Sequence, residues 1–175
     1  MAEKSGSICF FDLESTGLKA DYNSILVGSI KPYGQPAKTF SVVKPGDDKM
    51  LVRELRDELG KYTIWVTYYG KMFDIPLLQS RLLKHGMNKL EKKHHLDVYF
   101  HMRAHTLTAR RSQAHLLTWL DAPEQKMTLS PEVWNQVLKS PETGLRILKA
   151  RCESDVKGLE ALYNKVKHLV INITR

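Results

Sequence analysis

Near the start of the chain an apolar run ends in two acids set two positions apart: Ile8-Cys9-Phe10-Phe11-Asp12-Leu13-Glu14-Ser15-Thr16-Gly17. Ile, Cys and Phe closed by Gly read as a buried strand running into a turn. Strand side chains alternate, so Asp12 and Glu14 share a face with Phe10, while Phe11 and Leu13 point the other way. Two carboxylates side by side at the end of an apolar strand repel each other and resist desolvation. A divalent cation between them relieves both problems, and hard oxygen ligands suit magnesium or manganese. The alternative is a solvated strand end carrying ordinary surface acids.

Two further acids stand out. Asp74 directly precedes a helical stretch in Gly70-Lys71-Met72-Phe73-Asp74-Ile75-Pro76-Leu77. Asp is a favoured helix N-cap, worth about 1 kcal/mol, and taken alone that role explains it. Asp155 resists such a reading. Leu145, Leu148, Cys152, Leu159, Leu162 and Val166 recur at spacings of three and four, and Asp155 falls on the same stripe. A carboxylate facing a core needs a partner. Arg151, one turn earlier, offers an ion pair; a metal is the functional counterpart, and the two do not exclude each other.

These side chains need elements to position them. Strands are expected from Ile8, over 24–33, 37–44 and 64–68, with a short fifth at 96–98. The turns Gly34-Gln35-Pro36 and Pro45-Gly46-Asp47-Asp48 make the first three strands antiparallel hairpins. Leu51, Leu55 and Leu59 set a helical period over 50–62. A helix over 75–85 has Pro76 in its first turn and Gly86 after its end. Helices follow at 111–119 and 131–138, and from 142 to about 169. Strands, then alternating helices and strands, make an α/β order in one domain spanning 1–175.

The chain has 175 residues, 42% apolar and 26% charged, as a soluble globular protein does. No apolar run is long enough to span a bilayer, and residues 1–6 lack the apolar core of a signal peptide. Two cysteines, Cys9 and Cys152, are too few for a disulfide framework and read as packed thiols, which implies a cytoplasmic setting. A net charge of +8 favours polyanionic partners, nucleic acid first. Lys89, Lys92 and Lys93, with Arg103, Arg110 and Arg111, are candidates to grip a phosphate backbone, against a plain solvated basic surface. His94 and His95 are adjacent and diverge on a strand, which disfavours a zinc site.

Taken in order, the four acids sit in three motifs. Phe11-Asp12-Leu13-Glu14-Ser15-Thr16-Gly17-Leu18 resembles D-x-E followed by T-G. Tyr69-Gly70-Lys71-Met72-Phe73-Asp74-Ile75-Pro76-Leu77-Leu78 resembles N-G-x-x-F-D-I-P-x-L, and Arg151-Cys152-Glu153-Ser154-Asp155-Val156 resembles Y-C-x-x-D-V. The chain therefore resembles the DEDD superfamily of 3′–5′ exonucleases on the ribonuclease H-like fold, nearest to family B polymerase-like and YprB-like exonucleases, from about Ile8 to Val166. The resemblance implies a mixed five-stranded sheet, three antiparallel strands then two parallel ones, flanked by helices. It implies two divalent ions, Mg2+ or Mn2+. Asp12 would bridge them, Glu14 and Asp155 would complete the site that activates water, and Asp74 would hold the second ion through water. Thr16, Gly17, Tyr69, Lys71 and Phe73 lie in the first two motifs as substrate-binding positions; Tyr69, Phe73 and Met72 would stack or wedge terminal bases or, alternatively, pack the core.

Asp97 reads as a supporting residue or helix cap ahead of a metal ligand. The motif departs at Arg151, where Tyr or His usually orients the water. Arg stays protonated and cannot be a base, although it can bind the scissile phosphate, pair with Asp155 or replace one metal's charge, and metal alone can acidify the water. Tyr68, Tyr69, Lys71, Lys149 and His95 are the other candidates for the base. The implied substrate is the 3′ end of single-stranded nucleic acid, DNA ahead of RNA. A non-catalytic nucleic-acid-binding module and an endonuclease on the same fold are the alternatives. The resemblance names no protein partner.

Overall fold

The computed structural model describes residues 7–124, 127, 132, 136 and 139–170. Its centre is β1, Ile8–Ser15. Beside β1 runs β2, Ile25–Pro32, buried along its whole length, and beyond it β3, Lys38–Ser41. On the other side lie β4, Ile64–Thr67, and β5, His94–Asp97. The order is β3-β2-β1-β4-β5. β1, β2 and β3 pair antiparallel, whereas β4 and β5 run parallel to β1. The mixed sheet is the one the motifs imply, three antiparallel strands followed by two parallel ones.

Helices cover both faces. Phe11 and Leu13 turn toward α1, Lys49–Leu59, whose Leu51, Leu55 and Leu59 are buried against them. Gly28 of β2 permits that approach, since a Cβ there would stand 2.6 Å from Leu55 Cδ2. α2, Asp74–Lys84, packs Leu77, Leu78 and Leu82 into the same core. On the opposite face Phe10, Val66 and Leu96 meet α3, Val98–His105, α4, Gln113–Trp119, and the C-terminal half of α5, Pro141–Val166. α5 opens on a proline, the residue best suited to a first helical turn, and ends in a 3-10 turn, Lys167–Val170. Among the described residues, no helix is long and apolar enough to cross a membrane.

Four elements differ from the sequence expectation. β3 is four residues long, because its partner register stops at Val27↔Ser41. β5 ends at Asp97 rather than running through Val98: the Asp97 carboxylate accepts the Tyr99 N–H and starts α3 there. α3 itself was not anticipated. α4 begins only after Ser112, whose hydroxyl caps it by accepting the His115 N–H. The helix expected over 131–138 falls almost entirely outside the described residues.

Candidate active site

β1 carries Asp12 and Glu14 to the end of the sheet on the face that α5 crosses. α5 brings Asp155 over them, because Cys152, Asp155 and Leu159 occupy one buried stripe of the helix. The result is a cluster in which one ligand atom each of Asp12, Glu14 and Asp155 lies within 4.8 Å of the others. Glu14 and Asp155 are buried and Asp12 is half-buried. The Cys152 thiol approaches the Asp12 carbonyl at 3.3 Å and its Oδ2 at 3.6 Å. Burial, then the charge of Asp12, pushes the thiol pKa well up, so it stays a neutral donor. Gln113 of α4 donates to the Asp155 carbonyl at 2.9 Å and pins α5 at this turn.

Asp74 stands beside this trio rather than within it. β4 pairs with β1 only as far as Phe10↔Val66. Beyond that point the backbone of β1 has lost its strand partner on that side, and Asp74 Oδ1 accepts the Leu13 N–H at 3.0 Å. The carboxylate therefore reaches across to β1 while also accepting its own backbone N–H at the start of α2. Burial first, and the charge of Asp12 next, hold its pKa well above the ordinary carboxyl range.

Arg151 lies among the acids. Its Nε is 2.9 Å from Glu14 Oε1 and 3.6 Å from Asp155 Oδ2. The expected pairing with Asp155 is present, but Glu14 is the nearer partner.

Asp97 organises the neighbouring turn. Its Oδ1 accepts from the Tyr69 N–H at 2.9 Å and its Oδ2 from the Lys71 N–H at 2.8 Å, besides capping α3. These charged hydrogen bonds hold Tyr69 at φ 65°, a left-handed conformation that costs a non-glycine residue roughly 1–2 kcal/mol. The Tyr69 ring is turned outward and stacks on Phe100 at 5.7 Å. Lys71 is exposed, whereas Phe73 is half-buried against the core. Thr16 and Gly17 lie in the turn after β1. Thr16 Oγ1 accepts the Ser24 N–H, Gly17 accepts from Ser15 Oγ, and a Cβ at Gly17 would meet Asn23 Oδ1 at 2.5 Å.

Two of the candidate bases are engaged elsewhere. The Tyr68 hydroxyl donates to the Arg111 carbonyl, and burial raises its pKa. His95 Nε2 meets Thr67 Oγ1 at 2.8 Å, and burial lowers its pKa. The Lys89–Lys93 run precedes the N-terminal end of β5, whereas the acids lie past the C-terminal end of the β1/β4 pairing, so run and acids belong to opposite ends of the parallel strands. Sequence reasoning missed Tyr99, Phe100 and Gln113; a serine at 112 ahead of an apolar stretch is the one local signal that could have marked the helix start next to Gln113.

The donor set fits a divalent metal: carboxylate oxygens from Asp12, Glu14 and Asp155 converge from two elements, partly withdrawn from water. A mixed sheet with this strand order and a carboxylate cluster toward the end of its central strand defines a ribonuclease H-like protein. The chain belongs to the RNase H superfamily, whose family model matches residues 9–167. A search of curated proteins gives no match. Among solved structures the fold is similar to that of the family B DNA polymerase from the hyperthermophilic archaeon Pyrobaculum calidifontis, with a TM-score of 0.73 and 16% identity. That likeness covers 93% of this chain but only 24% of the polymerase chain.

Proposed function

We propose that the protein is a metal-dependent 3′–5′ exonuclease acting on single-stranded nucleic acid. The observation that carries this reading is the convergence of Asp12, Glu14 and Asp155 within 4.8 Å, with Asp74 hydrogen-bonded to the same strand. Asp12, Glu14 and Asp155 would hold two divalent ions, Mg2+ or Mn2+, with Asp74 supporting the second. Such ions would supply the acidification of the attacking water and the stabilisation of the entering and leaving oxygens. Water adds to the terminal phosphorus and the bond to the 3′ oxygen breaks. The products are a nucleoside 5′-monophosphate and a strand shortened by one, ending in a 3′ hydroxyl. Tyr69 offers a face on which a terminal base can stack, and Lys71 a charge for the backbone. One structural neighbour is a DNA polymerase, which favours DNA over RNA as the strand. Two buried, unpaired cysteines suit a reducing compartment such as the cytoplasm.

The test is cleavage of a 5′-labelled oligonucleotide with Mg2+ or Mn2+. The wild-type chain should produce a ladder shortening from the 3′ end, and Asp12→Ala should lower its rate at least about 100-fold. Unchanged cleavage by that variant would sink the proposal. A circular single strand separates the exonuclease from an endonuclease. Arg151 favours one other reading: a guanidinium stands among the carboxylates, where it cannot serve as a base. A non-catalytic binding module would bind the oligonucleotide without turnover in either metal.

A further inference from the structure

The guanidinium of Arg151 sits inside the acidic cluster. Its Nε lies 2.9 Å from Glu14 Oε1 and 3.6 Å from Asp155 Oδ2, and both acids belong to the three-carboxylate set. The two acids are 7% and 2% exposed, so their charges are costly without a counter-ion. Arg keeps its proton throughout the accessible pH range. One positive charge is therefore already supplied on the Glu14–Asp155 side by the chain itself. Nε itself makes no aligned hydrogen bond despite its short distance to Glu14. A divalent cation carries twice the charge of the guanidinium and is attracted correspondingly more strongly by the same carboxylates.

We infer that the Arg151 guanidinium and a divalent cation compete for the Glu14–Asp155 edge, so that Arg151 sets how tightly, and in what number, the cluster takes metal. This deepens the metal-dependent reading above and rests on it. Loading that edge requires the guanidinium to leave it. A released guanidinium is a donor suited to a phosphate group, which ties its departure to the presence of substrate.

The competition is read on the full chain without nucleic acid, from Mn2+ titrations followed by electron paramagnetic resonance. Arg151→Gln should bind Mn2+ about tenfold or more tightly, or take one more ion per chain, than wild type. Arg146→Gln, an exposed position on the same helix, should behave as wild type. Unchanged or weaker Mn2+ binding by Arg151→Gln overturns the inference. A second measurement uses the wild-type chain and so does not depend on the variant folding: modification of Arg151 by phenylglyoxal, read by peptide mass spectrometry. Mn2+ should accelerate it by releasing the guanidinium; protection, or no change at saturating Mn2+, overturns the inference. Both readouts are independent of turnover. A chain that shows competition but cleaves nothing loses the nuclease reading alone, and an active nuclease without competition loses only this one.

Discussion

A buried carboxylate stays ionised only where donors converge on it, and Asp48 shows this away from the acidic cluster. It is fully buried, and Arg81 Nε and Nη2 each donate to it at 2.8 Å. His85 Nε2 meets it at 2.7 Å and the Ile25 N–H at 2.9 Å. Arg81 also donates to the Ala20 carbonyl, so one ion pair ties the loop after β1, the start of β2 and the helix that presents Asp74. Burial alone would push the Asp48 pKa up; the hydrogen bonds from Arg81, His85 and Ile25 outweigh it and pull the pKa below the ordinary value. A lowered folded-state pKa contributes stability that is present above the unfolded-state value and is lost as pH falls through the folded one. Asp48→Asn should cost about 3 kcal/mol at pH 7, because it leaves Arg81 buried without its counter-charge. In urea melts the gap between wild type and variant should narrow as the pH is lowered through the acid range. An equal gap at every pH would show that the charge of Asp48 is not what matters.

At the scale of elements, the turn from β4 into α2 sets the distance between Asp74 and β1. Gly70 is the tightest point of that turn, where a Cβ would stand 2.5 Å from both Cβ and Oγ1 of Thr67. Thr67 is fully buried and bonded to His95, so it has no room to retreat. Gly70→Ala should lower stability by about 1–3 kcal/mol through overpacking. It should also displace Tyr69 and Asp74 together. Urea melts paired with kcat and KM on a labelled oligonucleotide check this: kcat should fall in protein that is still fully folded. A destabilised variant with wild-type kcat would show that the turn does not position the site. Cys152 illustrates the same dependence between elements, since a helix side chain steadies the backbone and carboxylate of a strand residue 140 positions away.

Across the whole molecule, charge is divided between the two ends of the parallel strands. Lys71 lies at the acid-bearing end, whereas Lys89, Lys92 and Lys93 precede the other end of β5. Each phosphate contact to a single strand contributes about −0.7 to the slope of log affinity against log salt. Lys71→Ala should therefore flatten the slope for a fluorescent single-stranded oligonucleotide by about 0.7. Lys92→Ala should leave it unchanged. Anisotropy titrations over a series of salt concentrations measure both, and the reverse result would place the strand at the far end of the sheet.

The sequence by itself determined the elements whose periodicity is strong and local. β1, α1, α2 and α5 are legible because alternation and the 3.6-residue stripe are written in adjacent side chains, and the stripe on α5 already turned Asp155 toward the core. It determined too that Asp12 and Glu14 share a face. α3 was not legible, since Val98, Tyr99, Phe100 and His101 have little helix preference and the helix is started by a carboxylate at the end of a strand. What only the tertiary structure decided is how distant groups meet. Asp74 serves the Leu13 N–H because β4 stops pairing with β1 before that residue. Arg151 takes Glu14 as its nearer partner because α5 crosses the sheet at the end of β1. Local propensity carries no record of where a backbone donor will lose its strand partner or which charge a crossing helix will meet. Those depend on the packing angle of elements far apart in the chain, and they exist only once the sheet is assembled.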